Sequence, residues 1–182
     1  KTVNLLPKTV NLLPKFLPKS RINQNIDNEI YKYKMINDVS SIPSIINGKV
    51  YYRGNNKIIQ SPYDNSYIGS NYYDTEISLL RDATENYNKA KKHWNEMDID
   101  KRLEIFLTAA DKIENKYYDK LIAATILCQN KTPYEAELDT ICELVDFLRF
   151  NVEYVKQIYQ KQPISPDGFQ NISQYHPLNG YV

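Results

Sequence analysis

From Thr132 to Gln160 apolar residues return at helical spacing, with no glycine or further proline after Pro133 until Pro163. Ile141, Val145, Leu148, Val152, Val155 and Tyr159 fall on one face, an ordinary core stripe. At about 100° per residue, Glu143, Phe147, Phe150 and Tyr154 form a second column roughly opposite the first. A helix on the outside of a small domain carries polar residues there. Two readings fit. Either the helix is buried on both sides within the chain, or its second face packs on protein outside these 182 residues or lines a pocket. The start is well marked: Thr132 can cap, Pro133 suits the first helical position, and Glu135 can complete a capping box. The pattern predicts one helix of about 28 residues, roughly 40 Å long.

Three shorter helices precede it. After Asp74-Thr75, one face carries Ile77, Leu80, Thr84, Tyr87, Lys91 and Trp94. Asp98 can cap a second helix with Ile99, Leu103, Phe106, Leu107, Ala110 and Ile113 in step. A third runs from about Tyr117 to Cys128 and stops near Asn130, which tolerates a left-handed cap. Short loops between four amphipathic helices predict an antiparallel packed array. Upstream, Lys49–Tyr52 and Lys57–Gln60 read as a hairpin around Arg53-Gly54-Asn55-Asn56, with another short strand at Tyr67-Ile68-Gly69. Gln24 to Ser44 has weak periodicity and predicts an extended arm with at most a short helix. Downstream, Phe169 to Tyr175 has strand character, and the apolar Tyr181-Val182 suggests a chain cut short of a finished domain.

Composition is that of a water-soluble globular body, 42% hydrophobic and 25% charged, with no run near the length of a membrane span. Residues 1–26 hold five basic side chains (Lys1, Lys8, Lys15, Lys19 and Arg21) and no acid. The remaining 156 residues carry 18 basic against 22 acidic groups, which argues against a nucleic-acid partner. The 16 tyrosines, without a basic groove, serve packing. Lys1 to Pro7 reads KTVNLLP and Lys8 to Pro14 repeats it letter for letter. This leader fits an organelle transit peptide as well as it fits a disordered tail. Cys128 and Cys142 stand among apolar neighbours and read as buried structural thiols, and His93 and His176 do not cluster with them into a metal site.

Several segments together carry a resemblance. Ile105-Phe106-Leu107-Thr108-Ala109-Ala110-Asp111, Lys131-Thr132 with Ala136-Glu137-Leu138-Asp139, ELVDFLRFN from Glu143 to Asn151, and Gln162-Pro163-Ile164-Ser165 occur in this order. Ile46-Asn47-Gly48-Lys49, Ser61-Pro62-Tyr63-Asp64 and Lys92-His93-Trp94 are similar too. From about Ser41 to Val182 the chain resembles the N-terminal part of the glutamate-semialdehyde-oxidising (1-pyrroline-5-carboxylate dehydrogenase) branch of the aldehyde dehydrogenase superfamily. The resemblance implies an α/β aldehyde dehydrogenase-like fold present only as an N-terminal fragment, mainly α-helical with short antiparallel β-hairpins. The expected organisation is a basic, low-complexity and disordered leader and arm at 1–40, a β-hairpin arm at 41–73, a four-helix layer of the NAD-binding domain at 74–162 and a truncated strand segment at 163–182.

The activity implied is NAD-dependent oxidation of an aldehyde to glutamate in proline breakdown, in three steps: a cysteine thiolate attacks, hydride leaves to NAD, and activated water releases the acid. The family's nucleophile, base and NAD contacts match nothing here, so no catalytic or cofactor-binding residue is assigned and the chain alone is expected to be inactive and to bind no NAD. The family also implies a homo-oligomer and, in eukaryotes, the mitochondrial matrix; otherwise a cytoplasmic enzyme. Glu143 matches a glutamate near the aldehyde pocket, with Phe147 and Phe150 on the same face as candidate substrate-binding residues; a solvated Glu143 beside core phenylalanines is the alternative. A non-catalytic helical interaction module or pseudogene product derived from the family is the competing function.

Overall fold

A computed structural model describes residues 24–35 and 40–176. The predicted long helix forms as one rod in three parts: α5 (Pro133–Glu137), a π-helical turn (Leu138–Glu143) and α6 (Leu144–Gln160). Its capping box is made as the sequence predicts. Thr132 Oγ1 accepts from the Glu135 N–H, and a Glu135 carboxylate oxygen accepts from the Thr132 N–H at 2.9 Å. Those bonds hold the Glu135 carboxyl below its ordinary range.

Ahead of the rod stand α2 (Ile77–Glu96), α3 (Ile99–Asp111), a first π turn (Lys112–Lys116) and α4 (Tyr118–Gln129). Asp98 caps α3, accepting from Asp100 N and Lys101 N, and Asn130 ends α4 in the left-handed conformation. α6 packs on α3, and α5 with the second π turn packs on α4. The core gathers Ala110, Ile122, Ala123, Ala136, Ile141 and Val145.

Three expectations need correction. Residues 24–35, where an extended arm with at most a short helix is expected, form the three-turn helix α1 (Gln24–Met35), which lies on α4 and places Ile26 in the core. Its own pattern is weak; tertiary packing makes the helix. Second, α2 does not bury the stripe of Ile77, Leu80 and Trp94, all of which are exposed. It buries Leu79 and turns Ala83, Asn86, Tyr87 and Ala90 toward Ile45, Ile46 and Asn47, where small side chains let the helix lie close to a flat hairpin. Third, Phe169–Tyr175 is not a strand. No neighbouring strand offers it a ladder among the described residues, and the segment is tied as a loop instead. Gln162 and Ser173 exchange two hydrogen bonds, and Asn171 bonds Ser165 Oγ and the Ile164 carbonyl.

The strands also pair differently from the reading. β2 (Ser44–Ile46) and β3 (Lys49–Tyr51) form a hairpin through Asn47-Gly48, both at positive φ, so Lys49–Tyr51 does not pair with residues 57–60. β4 (Asn56–Gln60) instead pairs antiparallel with β5 (Tyr67–Tyr73), and β1 (Ser40–Ile42) adds to β5 in parallel. Gly54 is required there: a Cβ would lie 1.7 Å from the Asp74 carbonyl oxygen. The duplicated leader and Tyr181-Val182 lie outside the described residues.

Candidate functional site

Glu143 closes the second π turn and is exposed. One turn on, Phe147 is 60% exposed, and Tyr154 stands half-exposed beyond it. Phe150 is partly buried, its ring stacked on Tyr154 with centroids 6.4 Å apart. The outer column thus faces away from the core, with Phe150 at its edge. None of Glu143, Phe147 and Phe150 lines the apolar groove of about 190 Å³ between α3 and α6, which is formed by Leu103, Phe106, Leu148, Asn151, Val152 and Val155.

Polar ties on the inner side fix this geometry. Tyr118 donates to the buried carboxylate of Glu137, Thr125 and Thr140 share a hydrogen bond at 2.8 Å, and Lys131 pairs with Asp139. Arg149 reaches Glu114 at 2.6 Å with both side chains largely enclosed. Sequence reasoning missed all four ties, because each joins residues on separate elements. Burial and the neighbouring Glu137 push the Tyr118 phenol well above its usual range.

Neither cysteine is set up as a nucleophile. Cys142 is buried; Cys128 is exposed over much of its surface, contrary to the sequence reading, yet partial burial still raises its thiol above the ordinary value. Among the described residues no three metal-ligating side chains cluster, and no helix is long and apolar enough to cross a membrane. A dinucleotide needs a glycine-rich turn opening a helix. Gly48, Gly54 and Gly168 sit at positive φ in turns that do not open a helix.

The described residues thus form a helical layer that carries small strands and an outward Glu–Phe column. Residues 53–182 match the aldehyde dehydrogenase family, and the chain belongs to it. The delta-1-pyrroline-5-carboxylate dehydrogenase of Dictyostelium discoideum, named as mitochondrial, is 37% identical over 150 residues, covering 82% of this chain and 27% of that protein. The Agaricus bisporus enzyme of the same name is 38% identical over 142 residues, covering 78% of this chain and 26% of its own. In structure, the Mycobacterium tuberculosis delta-pyrroline-5-carboxylate dehydrogenase bound with NAD and cobalamin superimposes with a TM-score of 0.83 at 30% identity, covering all of this chain and 34% of that one. The aldehyde dehydrogenase fold is therefore shown, mainly helical with short strands. The chain spans 27% and 26% of the length of these two curated relatives.

Proposed function

We propose that this chain is the N-terminal helical part of an NAD-dependent dehydrogenase that oxidises L-glutamate γ-semialdehyde to glutamate, with Glu143, Phe147 and Phe150 facing the substrate. The observation that carries the reading is the outward Glu143–Phe147 column on a rod whose opposite face buries Ile141, Val145 and Val152. A carboxylate there can hold the substrate's ammonium group, and the phenylalanine rings can exclude water around its carbon chain. Covalent attack on the aldehyde and acceptance of hydride by NAD fall to residues other than those described, since Cys142 is buried and the Cys128 thiol is raised above its ordinary value. The relatives' names and the basic leader support the mitochondrial matrix as its location. The exposed Ile45, Val50, Tyr52 and Ile58 of the arm fit a subunit contact in a homo-oligomer.

The test is Glu143→Ala in the complete enzyme, by steady-state kinetics with glutamate semialdehyde. The expected result is a fall in kcat/KM of roughly tenfold or more, the size of losing one charge-assisted contact. Unchanged constants would remove Glu143 from the site and favour a non-catalytic interaction role for this face.

A further inference from the structure

Burial along the rod changes step at the second π turn. Ala136 and Glu137 are buried together, then Ile141 and Cys142, then Val145 and Asp146. The first interval is five residues and the second is four. An α-helix returns to one face every three or four residues, so a five-residue step marks one residue absorbed by π winding, roughly 100° of phase. Plain α winding from Ala136 would next present Thr140, Ile141, Leu144, Val145 and Leu148. That register turns Leu144, now 40% exposed, inward and sends Cys142 and the buried Asp146 outward. It trades a buried carboxylate for a leucine, so apolar burial alone does not favour the register observed.

The Arg149–Glu114 pair opposes that rotation. Glu114 lies in the first π turn and Arg149 on α6, and their largely enclosed side chains meet at 2.6 Å. Turning α6 by one residue would swing the guanidinium away and leave an enclosed charge without this partner. We propose that Arg149 is a positioning residue: its pair with Glu114 sets the rotational phase of α6, holds the second π turn open, and so fixes the direction in which the outward Glu143 and Phe147 point. The consequence for substrate rests on the reading of Glu143 above; the phase assignment does not.

The experiment is thiol labelling of the full chain carrying Cys128→Ser, with each thiol followed by peptide mass spectrometry. Cys142 is protected in the observed register and exposed in the competing one, while a thiol placed by Leu144→Cys behaves in the opposite way. Arg149→Met is expected to speed labelling of Cys142 roughly tenfold and to slow labelling at position 144. Arg149→Lys and the exchanged pair Glu114→Arg with Arg149→Glu are expected to keep Cys142 within about threefold of the parent. Faster labelling at both positions means general loosening and overturns the proposal, as does no change at either. Should Arg149→Met fail to fold, Glu114→Gln carries the same measurement with the same outcomes. No readout here is activity, so a negative Glu143→Ala result leaves this one standing.

Discussion

On the inner side of the α5–α6 rod, Ile141, Val145 and Val152 are buried against α3, α4 and the chain's central cluster; on the outer side, Phe147 and Tyr154 are 60% and 50% exposed. Both sides are apolar at helical spacing. The difference lies in the partner: α3 and α4 bring Leu103, Ala110, Ile122 and Ala123 to one side, while among the described residues the other side carries the Phe150–Tyr154 stack. Hydrophobic periodicity therefore identifies faces able to be buried, and a neighbour decides which of them is.

Perturbations of the two sides should differ by size and by kind. Val145→Asp places a charge at a position with no exposure, and is expected to abolish the cooperative urea transition, as followed by circular dichroism. Tyr118→Phe removes the hydrogen bond to Glu137 and is expected to cost about 1–3 kcal/mol in urea denaturation at neutral pH. That effect has a pH signature. Burial and Glu137 raise the folded-state value of the Tyr118 phenol above the ordinary 10, so its contribution is complete below about pH 10 and is lost as pH rises beyond it. The parent should lose stability above pH 10 more steeply than Tyr118→Phe does; parallel curves would show that the phenol's environment does not differ on folding. Asp98→Ala removes the α3 cap and is expected to cost about 1 kcal/mol, read in the same denaturation.

Much of this was legible where the signal is local. Thr132 with Glu135, Asp98 and Asn130 each act on backbone groups within a few residues, so their identity and spacing sufficed. The Asn47-Gly48 turn was equally local and was there to be read, since two adjacent left-handed residues suit a two-residue hairpin. Helix α1 was hidden because its stability comes from docking on α4 rather than from its own pattern. The π turns leave no local mark: the five-residue step from Ala136 to Ile141 emerges only when burial is known. In the candidate site, the Glu143–Phe147 column could be seen from spacing, but Arg149 and Glu114 are 35 residues apart and meet only in the fold.

The most direct measurement of the claim that one side is covered and the other is not is a matched pair of truncations, Ile141→Ala and Phe147→Ala, compared by urea denaturation of the chain. The account predicts a loss of about 2–5 kcal/mol for the first and a change within about 0.5 kcal/mol for the second. Equal losses at the two positions would contradict it, because Phe147 would then be packed as tightly as Ile141.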